Sequence, residues 1–321
     1  MPRVVNQLGT AVGQLWRTDR PLTAVGLLMV PALVASIVGL MVDPRVIAGA
    51  PAWLKPAKFA ASIAIYTLTL AWVFSYLPAW TKTRRSVSWT SAAVFVLELI
   101  IIDLQAWRGT TSHFNVSTRL DTALFTTMGI AIVVQTLTSV AVAVALWRER
   151  FADRALGWAL RFGLTVTIVG AFTGGLMTRP TAAQLAEGRA TERLTVAGAH
   201  TVGAPDGGPG LPGTGWSREH GDLRVPHFIG LHALQVLPLV ALGLRRRVSA
   251  EAAHVRLTFV AAASYLGLFA ILLVQALGGE ALINPSGATI TLLAGWTMSS
   301  ALAAWTVAGR AGRPVMRPLA Y

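Results

Sequence analysis

The feature that most limits what this chain can fold into is a succession of apolar blocks, each about twenty residues long. A block of that length crosses roughly 30 Å of hydrocarbon at a helical rise of 1.5 Å per residue. Eight such blocks are readable, near 22–42, 57–80, 87–107, 122–147, 155–178, 225–244, 255–278 and 286–308. Composition points the same way. Of the residues, 54% are hydrophobic and 13% charged, where a soluble domain carries roughly 25% charged residues. The expected fold is all-α, a polytopic membrane helix bundle of about eight transmembrane helices.

The charges give the bundle a direction. With the N-terminus inside, seventeen of the 27 Lys and Arg residues fall on the inner side. The bias is strongest in the short loops Lys82–Arg85 and Arg245–Arg247, which are the loops that set orientation. Only Asp19, Glu149, Asp153 and Glu251 are acidic on that side. The expectation is a multi-pass protein of the plasma (inner) membrane with both termini cytoplasmic. A basic inner face also accounts for the net charge of +13, and nucleic-acid binding is excluded on that ground. The chain has no cysteine, which removes disulfides, thiolate metal ligands and Cys nucleophiles.

Three parts are expected. Residues 1–20 form an interfacial segment, with Val4, Leu8, Val12 and Leu15 at helical spacing beside Arg3 and Arg17. Residues 21–310 form the transmembrane domain, and 311–321 a cytoplasmic tail. Within the domain, the stretch 179–224 between the fifth and sixth blocks is much longer than the other connections. Its first part could be a short helix, and VGAPDGGPGLPGTGW reads as irregular backbone. Loops of this length in compact proteins usually carry function. Trp216, His200 and His220 favour an ordered lid.

Ionisable groups inside a membrane helix are costly, so each needs a reason. The third block holds Glu98, Asp103 and Gln105. Glu98 and Gln105 are seven apart and share a face, whereas Asp103 lies about 140° from Glu98. The sixth block holds Pro226, His227, His232 and Gln235. Five of the six histidines fall at the outer ends or in outer loops: His113, His200, His220, His227 and His232. The economical reading is an outer cavity between the third and sixth helices beneath the 179–224 loop. Gln105, Arg108, Trp216, Arg224 and Gln235 complete the set expected to contact a substrate.

The segment GAHTVGAPDGGPGLPGTGWSREHGDLRVPHFIGLHALQVLPL resembles one in bacterial multi-pass membrane proteins of undefined function, as do WLKPAKF and QAWRGTTSHFN. That resemblance implies no activity. A fainter similarity is to intramembrane zinc hydrolases of the ceramidase type, which use Ser, Asp and three His. It implies such parts for Ser112, His113, Asp103, His227 and His232. The chain departs from that pattern in its spacing of five, not four, between the histidines of the sixth helix.

Three functions compete. A membrane-embedded enzyme would hold a zinc-like divalent metal on His113, His227 and His232, with Glu98 or Asp103 as ligand or general base. Its substrate would be lipid-like. A haem b protein would use His232 or His227 as axial ligand and a quinone-like partner. A proton- or ion-coupled transporter would use Glu98, Asp103 and His232 as a relay. A scaffold subunit with no site of its own is the remaining possibility.

Overall fold

The structure, a computed structural model, describes residues 2–248 and 250–311. The expected tail thus lies, from residue 312 on, outside the described residues. Helix α1 (Pro2–Thr18) is amphipathic and precedes α2 (Arg20–Val42). Asp19 separates them. Its carboxylate accepts from Leu22 N at 3.0 Å, capping α2, and also binds Ser88 Oγ. A cap of this kind contributes about 1 kcal/mol. A two-residue hairpin, β1 (Val46–Ile47) with β2 (Ala50–Pro51), then leads into α3 (Leu54–Val73), which a single 3-10 turn extends to Tyr76. Helices α4 (Thr81–Trp107), α5 (Arg119–Arg148) and α6 (Arg154–Met177) follow, with α5 capped by Thr118 and α6 by Asp153.

The long loop is built rather than bare. It carries α7 (Ala182–Thr191), opened by a capping box between Thr181 and Gln184. The short strands β3 (Thr201–Val202) and β4 (Gly221–Asp222) pair antiparallel and pin the two ends of the Gly/Pro-rich stretch together. Backbone bonds from Val116 to Thr195, from Ala197 to Phe114 and from Ala199 to Met177 hold the loop to the helix ends below it. Gly198, at φ 120, runs so close to Met177 that a Cβ would lie 2.3 Å from its carbonyl oxygen.

The sixth apolar block is not one straight helix. It is α8 (Arg224–Leu231) and α9 (Ala233–Arg245), bent by 48° at His232. The bend has an identifiable cause. Gly170 of α6 and Gly230 of α8 meet backbone to backbone, and a Cβ on Gly170 would sit 2.5 Å from Gly230 Cα. The groups freed at the break are bonded again, since Thr167 Oγ1 donates to Leu231 O and accepts from Leu234 N, both at 3.2 Å. Tyr265 Oη donates to Ile229 O at 2.6 Å. In lipid a broken helix needs this kind of repair.

Helices α10 (Glu251–Leu277) and α11 (Gly287–Ala311) complete the bundle. Among the described residues seven helical segments are long and apolar enough to cross a membrane, and the bent pair makes an eighth. Leu28, Val34, Met41, Leu137, Phe172, Met298 and Trp305 stand exposed on them. An apolar surface of that extent belongs in lipid. The protein is an all-α polytopic membrane bundle.

Its two ends differ. At one, the arginine side, Arg84 Nη2 donates to Thr18 O, Trp80 Nε1 donates to Glu149, and Arg245 pairs with Asp153. At the other, the loop side, Arg45 Nη1 donates to Trp107 O and Lys58 Nζ to Thr214 O.

Candidate functional site

On the loop side, the connection between α4 and α5 turns at Phe114, whose φ of 65 places a buried aromatic residue in the left-handed region. Such a backbone is costly for a residue with a Cβ, by about 1–3 kcal/mol, and strain of this kind clusters at working sites. Its effect is geometric. The Phe114 ring lies 4.8 Å from the His200 ring and 6.1 Å from His113, so it contacts both imidazoles. Phe59 of α3 lies 5.9 Å from His113 and beneath the Lys55 ammonium, also at 5.9 Å.

His200 is held by Asp206. The carboxylate accepts from His200 Nδ1 at 2.6 Å and from the backbone N–H groups of His200 and Thr201. Burial alone would raise the Asp206 carboxyl, but the ring and the two backbone bonds outweigh it and hold it below the usual carboxylate range. Burial lowers His200 against the opposing pull of Asp206. Asp206 is therefore the anion and His200 a neutral ring, with its hydrogen on Nδ1 by virtue of the acceptor it meets. Burial also pushes the His113 imidazole well below its ordinary range, with Lys55, His200 and His227 adding to the effect.

His227 projects from α8 toward α6. Its Nδ1 lies 2.9 Å from Gly170 O and 3.0 Å from Thr173 Oγ1. The Gly170–Gly230 contact brings α8 close enough for these bonds. His113 Nδ1 meets Ser112 Oγ at 3.2 Å. In all three rings Nδ1 is taken and Nε2 makes no hydrogen bond among the described residues. Three imidazoles from the α4–α5 turn, the long loop and α8 thus lie within electrostatic reach of one another, and Lys55 within reach of His113 and His200.

Glu98 lies deeper in α4, 1% exposed, with neither carboxylate oxygen hydrogen-bonded. Lys55 is the cation within its electrostatic reach. One turn further in, Tyr66 packs edge-on against Phe95 at 5.3 Å and bonds Ser139 at 3.1 Å and Gln135 at 3.4 Å.

The remaining expected residues divide. Gln105 and Arg108 both bond Asp121, at 2.9 and 2.6 Å, and tie α4 to the start of α5. Arg224 is bonded to Asp222 and to Gly215 O and anchors the loop. These three are engaged in holding the scaffold. Asp103 is on a different face of α4 from Glu98, and its Oδ1 is buried without a partner, as is Gln235 Oε1. His232 sits at the bend with Nδ1 bonded to Phe228 O at 2.8 Å. Trp216, Phe228 and His232 form a row of rings, edge-on at 5.7 Å and then tilted at 4.0 Å, that runs from the loop down α8.

His200, which was not among the three histidines expected, joins His113 and His227, and His232 remains within electrostatic reach of His227. Among the described residues no group of three or more His, Asp or Glu side chains stands where it could hold one metal ion. Asp206, Phe114 and Tyr66 were not visible as site residues in the sequence. For Asp206 the signal was an acid in a Gly/Pro turn six residues after a histidine. Comparison with family models, curated proteins and solved structures finds no match to this chain.

Proposed function

We propose that this is a plasma-membrane protein with both termini cytoplasmic, acting as an acid–base enzyme on a lipid-like or quinone-like substrate at its loop side. The observation that carries the reading is the Asp206–His200 pair, a half-buried carboxylate fixing an imidazole whose Nε2 is left free. That is the arrangement by which a carboxylate orients a general base and stabilises the imidazolium it becomes. In this reading His200 Nε2 takes a proton from water as the water oxygen attacks an ester carbonyl of the lipid, Asp206 offsets the charge that appears on the ring, and Lys55 stabilises the tetrahedral oxyanion. The imidazolium then returns the proton to the leaving alcohol as the ester C–O bond breaks. The Trp216–Phe228–His232 row of rings, with Phe228 44% exposed, suits an apolar tail lying along α8. No step requires the metal or haem that the histidines suggested. Purified protein incubated with a total extract of membrane lipids and quinones, followed by mass spectrometry, tests it. Wild type should convert one component and His200→Ala should not. Equal product profiles for the two would overturn the assignment.

A second reading, a proton-coupled transporter, is favoured by one observation, the row Tyr66, Gln135 and Ser139 that continues inward from Glu98. The originally expected relay partners Asp103 and His232 lie outside that row. Proton-linked flux in proteoliposomes that is lost in Glu98→Gln would support transport, and its absence in wild type would remove it.

A further inference from the structure

A second site lies at the opposite end of the bundle and is independent of the proposed chemistry. A groove of 710 Å³ opens where the end of α1, the start of α2 and the start of α4 meet. Four arginines line it, Arg17, Arg20, Arg84 and Arg85. None of them forms an ion pair with a carboxylate among the described residues. The one acid in the wall, Asp19, is turned to other work, capping α2 and binding Ser88. Arg84 is fixed by its bond to Thr18 O at 2.7 Å and by the Phe74 ring 5.7 Å away, and its Nε is buried with no partner. A folded protein rarely gathers four unpaired guanidinium groups unless an anion joins them.

The rest of the wall says what carries that anion. Trp16 and Trp89, 42% and 63% exposed, flank the arginines, and Pro21 and Ala24 continue the wall along α2. Tryptophan beside arginine at the end of an apolar helix marks the depth of lipid headgroups. An amphipathic helix such as α1 lies at that same depth. We infer that this groove binds an anionic phospholipid of the adjacent leaflet, its phosphate held by Arg17, Arg20, Arg84 and Arg85 and its chains lying against α2 and α4. Arg84 supplies the pre-set donor and the three more exposed arginines close on the phosphate. The bound lipid would join α1 to the bundle through the same contacts.

Native mass spectrometry and thermal melting of the full chain in zwitterionic detergent test this. Dioleoyl-phosphatidylglycerol should remain bound through delipidation and raise the melting temperature. Dioleoyl-phosphatidylcholine should be lost and leave the melting temperature unchanged. Arg20→Gln with Arg85→Gln should weaken retention of the anionic lipid at least ten-fold, while Arg20→Lys with Arg85→Lys should retain most of it. Equal retention of the two lipids by wild type would overturn the inference, and so would a double Gln variant that melts cooperatively and holds the anionic lipid as wild type does. Should the Gln variant fail to fold, the contrast between the two lipids on wild type decides alone. Inorganic phosphate is the control. A shift as large as that given by the lipid would mean a free-anion site and would likewise reject a lipid.

Discussion

Asp206 grips His200 twice, through the ring at Nδ1 and through the backbone N–H of the same residue, with Thr201 N–H as a third donor. The turn from His200 to Asp206 is thereby closed on a single carboxylate, and the same carboxylate orients the ring.

Replacing Asp206 by Asn keeps the size but leaves one acceptor oxygen facing three donors. Leaving such donors short of a partner costs about 1–3 kcal/mol. The expected result is amide exchange about ten- to a hundred-fold faster through residues 195–224, with the transmembrane helices unaffected. Hydrogen–deuterium exchange read by mass spectrometry measures both. Unchanged exchange in the loop would show that Asp206 does not hold it.

Acid should loosen the site. The folded protein holds His113 below its unfolded value of about 6.5, so the folded state binds fewer protons there. The associated stability is complete above that value and is lost as pH falls through it toward the lower folded one. His200 acts in the same direction, whereas the stability contributed by Asp206 is complete above its unfolded value of about 3.9 and is lost only below it, outside this range. The melting temperature in detergent should therefore fall between pH 7.5 and pH 5.5. His113→Phe keeps an aromatic ring among Phe59, Phe114 and Phe125 and should flatten part of that slope. A variant with the wild-type slope would exonerate His113.

How far the sequence reached follows from which forces act at short range. Blocks of apolar residues declare themselves individually, so the helices of the bundle were legible, with ends within a few residues. The bend at His232 was not, because it depends on Gly170 lying opposite Gly230, sixty positions away in the chain. Pro226 and Pro238 lie within the same block, yet neither stands at the break. The gathering of most histidines toward one end of the bundle was legible from their order along the chain. The identity of the third ring was not. His232 follows His227 on one block and bonds Phe228 O at the bend, while the loop folds His200 back over Phe114. Arg108 and Arg224 looked available because a sequence records charge without recording that Asp121 and Asp222 lie beside them.

The α6–α8 crossing should be intolerant of a single methyl group. A Cβ at position 170 meets only backbone, Gly230 Cα at 2.5 Å and its carbonyl carbon at 2.6 Å, so no side chain can swing aside. Overpacking of this sort costs about 1–3 kcal/mol, and here it also draws His227 off Gly170 O. Gly170→Ala should lower the melting temperature by several degrees, an order of magnitude taken from that cost. Thr167→Val removes the hydroxyl that repairs the helix break and should cost about 1 kcal/mol, whereas Thr167→Ser should be close to wild type. Thermal melts of the three variants rank these effects. A stable Gly170→Ala would mean that the helices do not touch there.

The absence of cysteine allows orientation to be read directly. Gly208 lies at the exposed tip of the long loop, with nothing within 4 Å of a Cβ, and Arg246 lies exposed at the end of α9 on the arginine side. Neither position is packed, so Gly208→Cys and Arg246→Cys should both fold. Short basic loops stay on the cytoplasmic side during insertion, and Arg245–Arg247 is such a loop. A membrane-impermeant maleimide added to intact cells should therefore label Gly208→Cys and spare Arg246→Cys until the cells are opened. The reverse pattern would put the histidine site on the cytoplasmic side and the arginine groove outside. Labelling of both positions in intact cells would mean that the chain does not hold a single orientation.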